Sequence, residues 1–267
     1  MPLPIYQIDA FTSHRFQGNP AAVVVLDRWL EQELMQAIAA ENNLAETAFI
    51  CGDVSDGDFG IRWFTPSQEV DLCGHATLAS AWVLYRKMQW QAPAIRFQSR
   101  SGELMVTREG QGLALDFPAR PPVDAALPIG LLDALGVKQT VYTGQARDWL
   151  VVLESEQEVA RLQPDFGALL SCTSQAVIVT ARGEECDFVS RFFAPGVGIN
   201  EDPVTGSAHC TLVPYWADQL DKSELFGRQI SARQGELRCR LTPAEAQFRV
   251  MMWGEAVLYL EGTIEVG

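Results

Sequence analysis

Glu46, His75, Asp202 and Ser207 are the side chains of this sequence whose types and neighbours could do chemistry. His75 and Ser207 each follow a glycine in related stretches, Cys73-Gly74-His75-Ala76-Thr77 and Thr205-Gly206-Ser207-Ala208-His209. Both stretches read as the first turn of a helix. A helix start presents unpaired N–H groups and a partial positive charge, and a glycine there lets an anion approach the backbone. A small carboxylate suits such a pair of starts, because neither stretch has the glycine spacing of a nucleotide-binding loop. A single carboxylate on one side, Glu46, could take a proton from carbon and return it elsewhere on a conjugated framework. Asn19, Cys73, Gly74, Thr205 and Gly206 are the expected substrate-binding positions, Asn19 lying in the compact turn Gly18-Asn19-Pro20.

The sequence around these residues repeats. Arg62-Trp63-Phe64-Thr65-Pro66 returns as Arg191-Phe192-Phe193-Ala194-Pro195, and Leu44-Ala45-Glu46-Thr47-Ala48-Phe49-Ile50 returns as Cys172-Thr173-Ser174-Gln175-Ala176-Val177-Ile178. With the glycine stretches, these are three matches in one order, which predicts a duplicated chain with two similar domains about a pseudo-twofold axis. The alignment sets Glu46 against Ser174, His75 against Ser207 and Cys73 against Thr205, and it leaves Asn200-Glu201-Asp202-Pro203 in an insert of the second copy. Catalysis is expected to follow this asymmetry. Thr205 cannot supply the second thiol of a two-cysteine racemase.

Strands are predicted over Ile5 to Phe11, Ala21 to Leu26, Thr47 to Ile50 and Phe59 to Phe64, with a helix closing at Asn42-Asn43. From Gly74 no charge appears until Arg86, so this helix should be buried, wrapped by strands at Ala94 to Gln98, Leu104 to Arg108 and Leu113 to Phe117. Phe117-Pro118-Ala119-Arg120-Pro121-Pro122 reads as the linker, giving domains 1–117 and 118–267. The second half should hold a short helix ending at Gly136, strands near Val141 and Leu150, a capping box at Ser155 and Glu158, and strands over Ala176 to Thr180 and Asp187 to Phe193. A second buried helix over 206–220 should be kinked or weakened by one turn at Pro214, with strands after it at Gln229 to Ala232, Glu236 to Leu241, Gln247 to Trp253 and Val257 to Val266. The class is α+β, two pseudo-symmetric domains with one central helix each.

The 267 residues are 48% hydrophobic, enough for two real cores. A net charge of −14 speaks against nucleic-acid partners and against anionic membranes. No signal peptide precedes the first strand, and six cysteines without C-x-x-C spacing read as reduced thiols of a cytoplasmic protein. Three histidines without an H-x-H or H-E-x-x-H motif give no metal site, and no cofactor is expected.

At these residues the sequence resembles the PhzF-like phenazine-biosynthesis isomerases, of diaminopimelate-epimerase-like fold. The resemblance rests on Asp9-Ala10-Phe11-Thr12, Gly18-Asn19-Pro20-Ala21, Asn43-Leu44-Ala45-Glu46-Thr47-Ala48-Phe49, Arg62-Trp63-Phe64-Thr65-Pro66, Cys73-Gly74-His75-Ala76-Thr77 and Glu201-Asp202-Pro203-Val204-Thr205-Gly206-Ser207-Ala208-His209. It implies a mixed β-barrel around a central helix in each half, and a homodimer. It also implies Glu46 as acid/base, His75, Asp202 and Ser207 around a small carboxylic acid, and the backbone at Gly74 and Gly206 on its carboxylate. Two other readings stay open: a non-catalytic small-acid-binding or structural homodimer that kept the cleft, and a hydrolase using Ser207, His75 and Asp202, which lacks the Gly-x-Ser-x-Gly elbow.

Overall fold

A computed structural model describes residues 2–52, 57–245 and 247–266. The chain divides into two compact units, one of residues 1–116 with 253–267 and one of residues 117–252.

The first unit runs β1 (Pro2–Ala10), β2 (Asn19–Leu26), α1 (Gln32–Asn42), β3 (Glu46–Cys51), β4 (Asp58–Phe64), β5 (Glu69–Val70), α2 (Gly74–Arg86), β6 (Ala94–Ser99), β7 (Gly102–Glu109) and β8 (Gly112–Pro118). β1 and β2 are antiparallel, β2 and β3 parallel, and β3 and β4 antiparallel. The other edge of β4 is shared by β5 and by a parallel β6, which leads into β7 and β8. Asn43 closes α1 in the left-handed conformation at φ 49°, as its place after the apolar stripe predicted. α2 is buried at every position from Gly74 to Ala81, and Thr77 and Ser80 turn their hydroxyls back to the Cys73 and Ala76 carbonyls. Polar side chains that bond their own helix present nothing unsatisfied to the core.

The second unit repeats this order. After β9 (Val123–Asp124) and α3 (Leu131–Leu135) come β10 (Tyr142–Gln145), β11 (Trp149–Val152), α4 (Glu156–Arg161), α5 (Phe166–Cys172), β12 (Val177–Arg182) and β13 (Phe188–Ala194). β14 (Ile199–Asp202), α6 (Gly206–Leu220), β15 (Glu224–Gln229), β16 (Gly235–Thr242) and β17 (Arg249–Gly254) follow. The pairing senses match those of the first unit strand for strand, from β10–β11 antiparallel and β11–β12 parallel to β13–β15 parallel. Ser155 caps α4, its Oγ accepting the Glu158 N–H at 3.3 Å. Ser155→Ala is expected to destabilise by about 1 kcal/mol, read as a lower urea midpoint with unchanged slope.

Pro214 sits inside an unbroken α6. Proline withholds the N–H that Cys210 O would have accepted, and the Arg120 N–H takes that place at 2.8 Å. The proline-rich segment after β8 therefore serves as more than a spacer.

Several expectations are corrected. The last strand, β18 (Ala256–Glu265), pairs with β1 from Pro2↔Glu265 to Ala10↔Ala256, so the second domain does not extend to residue 267. The predicted strand at Gln229 to Ala232 lies earlier, as β15. Its Gly227 marks a close approach, since a Cβ there would meet the Phe188 ring at 2.4 Å. α5 carried no clear sequence stripe. The ladders also revise the repeat. Arg62 faces Phe49 and Arg191 faces Val179, which aligns Glu46 with Ala176 instead of Ser174. Glu69 pairs with Phe64 as Glu201 does with Phe193, so Asp202 replaces Val70 and is no part of an insert. The extra residues lie in the 3-10 turn Pro195–Val197 that follows β13.

Candidate functional site

In the first unit, β3 begins at Glu46 and α2 at Gly74, and the two starts bring three distant side chains together. His75 Nε2 is 3.0 Å from Glu46 Oε2, and Cys73 Sγ lies 3.5 Å from His75 Nδ1. Asn19, at the start of β2, sets its amide nitrogen 3.1 Å from the same Nδ1. The parallel register Ala21↔Glu46 carries Asn19 and Glu46 to the same end of their strands. Asn19 and His75 are buried, while the Glu46 side chain keeps 13% of its surface exposed.

The electrostatics follow from burial among these neighbours. Burial, with help from Glu46, pushes the Cys73 thiol up to about 11, so it is protonated at neutral pH. Burial alone would lower the His75 imidazole, but the Glu46 carboxyl group 3.0 Å away opposes this and holds it well above its ordinary value. His75 held in this way is a hydrogen-bond donor to the Glu46 carboxyl group. Cys73, the N-cap residue of α2, makes no side-chain cap hydrogen bond, and a helix start of this kind suits an anion.

The second unit gathers Asp202, Thr205, Gly206 and Ser207 where β14 runs into α6. Thr205 is the N-cap residue, yet its hydroxyl turns to Asp202 Oδ2 at 2.5 Å and caps nothing. Ser207 is half-buried as the second residue of α6 and is not the cap. His209 donates Nδ1–H to the Thr205 carbonyl at 2.9 Å.

Gln229 was missed in the sequence. Fully buried at the end of β15, it accepts the Thr205 N–H at 2.8 Å and donates to the Asp202 carbonyl at 2.7 Å and to Thr205 Oγ1 at 3.1 Å. It thus fixes the bend between Asp202 and Gly206, a contact across 24 residues that no local spacing announces. Gln229→Ala would leave buried groups of that bend unsatisfied and is expected to cost roughly 1 to 3 kcal/mol, measured by urea unfolding.

A second conserved feature of the duplication is a bidentate ion pair. Arg62 grips Glu69 through two contacts of 2.7 Å, and Arg191 grips Glu201 at 2.7 and 2.8 Å. These pairs brace β4 against β5 and β13 against β14, directly before the two helix starts.

The family model described as phenazine biosynthesis-like protein, PhzC-PhzF, matches residues 8–262. The chain belongs to this family. A PhzF-family protein of Enterococcus faecalis, solved by crystallography, superposes with a TM-score of 0.92 at 43% identity, each chain covered completely. An uncharacterised isomerase of Pseudomonas aeruginosa is 53% identical over 266 residues, all of both chains. A hydroxyproline epimerase of Agrobacterium vitis shares the fold at 9% identity, with a TM-score of 0.61 over 98% of this chain and 92% of its own. The α+β, diaminopimelate-epimerase-like architecture of the PhzF family is therefore the architecture of this chain. Among the described residues no helix is long and apolar enough to cross a membrane.

Proposed function

We propose that the chain is a PhzF-like isomerase or epimerase that shifts a proton on a small carboxylic acid without a cofactor. The observation that carries this reading is the 3.0 Å contact between Glu46 and His75 beside the uncapped start of α2. Glu46 takes the proton from carbon as a base and delivers it as an acid, and His75 steadies the charge that builds up in between. The first-turn N–H groups at Gly74 hold the substrate carboxylate, with Asn19 and Cys73 at its edge. Ala176 at the position equivalent to Glu46 supports proton transfer by one carboxylate only, and in the second unit Asp202, Thr205, Gly206 and Ser207 form a polar cluster of their own at the start of α6. The isomerase name of the Pseudomonas relative agrees with this class of reaction. The proposal includes a cytoplasmic homodimer whose partners are small acids, neither nucleic acid nor membrane.

The test is solvent-deuterium uptake into a panel of unsaturated ring and α-substituted carboxylic acids, followed by NMR. Uptake into at least one acid supports the isomerase. Ligand binding without exchange of any carbon-bound hydrogen in the panel would favour the non-catalytic acid-binding protein.

A further inference from the structure

We infer that Trp63 is a further substrate-binding residue, its indole N–H donating a hydrogen bond to an oxygen of the acid held beside Glu46. Trp63 is 1% exposed, and its Nε1–H has no acceptor among the described residues. A buried donor in that state costs the desolvation of a polar group. Such orphans are few in folded chains and call for an occupant, either an internal water or a ligand. The indole N–H donates and never accepts, so the ligand atom it takes is an oxygen and not an ammonium or N–H group.

Strand register sets Trp63 beside the base. Phe49 and Phe64 pack with Met35 and Ile38 of α1, so the alternate residues Glu46, Ala48 and Trp63 face the other way, toward α2, where Glu46 meets His75. Trp63 stands opposite Ala48 on β3 and opposite Val70 on β5, the strand that leads into the start of α2. Glu46 is therefore its diagonal cross-strand neighbour, with about 7 to 8 Å between the backbones, a gap that aromatic and long side chains reach across. The duplication adds a contrast. Arg191 faces Val179 as Arg62 faces Phe49, which makes Phe192 the counterpart of Trp63. A phenylalanine fills that place in the second unit without a polar atom; the unit that carries the base also carries the donor.

This role for Trp63 rests on the chain being an acid-binding protein, and the test separates the two. The full chain is made with benzothienylalanine in place of Trp63, which keeps the bicyclic shape and puts sulfur where the N–H was. Benzoate, cyclohexenecarboxylate and lactate are titrated into this form and into wild type, with binding read by calorimetry and stability without acid read by urea unfolding. The benzothienyl form should bind the acid at least about tenfold more weakly, while its urea midpoint stays at or above that of wild type, since no acceptor in the fold loses a partner. Equal affinity in the two forms leaves an internal water as the partner of the N–H and overturns the role of Trp63 alone. Weaker binding together with a lower midpoint overturns it too, because the N–H then serves the fold. Wild type that binds none of the three acids counts against acid binding itself and removes the role of Trp63 with it.

Discussion

Glu46→Gln is expected to lower solvent-deuterium uptake into any acid the wild type accepts by about 10²- to 10⁴-fold, the usual worth of a positioned acid/base group. The amide matches the carboxyl in shape and can still accept from His75 Nε2, 3.0 Å away, so the fold should survive. It cannot take up a proton at neutral pH. The loss should therefore fall on turnover, with binding of the acid nearly unchanged, because the first turn of α2 is untouched. Equal exchange in the variant and wild type would dismiss Glu46 as the proton carrier, whatever else the site binds.

The second large effect is a pH dependence of stability owed to His209. Burial lowers this imidazole from 6.5 to about 4, against a smaller opposing effect of the Thr205 carbonyl. Its Nε2 has no hydrogen-bond partner among the described residues, and the Phe188 ring lies 5.7 Å away, so nothing there welcomes a second proton. The folded value lies below the unfolded one, so acid favours the unfolded chain. The stability concerned is fully present above pH 6.5 and is lost as pH falls toward 4. The loss should approach roughly 3 kcal/mol. Urea unfolding of wild type and His209→Gln between neutral pH and pH 4 isolates it, since every other titrating group is common to both. Parallel pH profiles would contradict it. His75 works in the opposite sense: its raised value stabilises the fold at low pH, and this is lost as pH rises through the folded value.

The two central helices were legible because an uncharged run from Gly74 to Tyr85 is a local pattern, and so was the left-handed Asn43 that ends α1. The capping box at Ser155 was legible for the same reason. What escaped is set by pairing between distant segments. Glu69 and Glu201 differ in their spacing from the preceding arginine by three residues, so only the ladders reveal them as equivalents. β15 was placed too late because a strand glycine that admits a neighbouring ring, as Gly227 admits Phe188, looks the same in sequence as one that turns the chain. Among the site residues, Glu46 and His75 were readable as candidates from the repeat. Their contact was not, because it depends on β3 and α2 starting at the same end of the first unit. Cys73 entered as a substrate neighbour, and its closeness to both emerged only with that geometry.

The pairing of β18 with β1 has a bearing on biosynthesis. β1 leaves the ribosome well before Ala256–Glu265, yet one of its hydrogen-bonding edges waits for those residues. The second unit, made of the continuous stretch 117–252, can finish folding while the first still lacks an edge. Deleting Ala256–Glu265 should thus injure the half of the molecule that holds Glu46. Joining Pro2 to Glu265 by a short linker and opening the chain in a surface turn should produce a circular permutant whose nascent form meets no such delay.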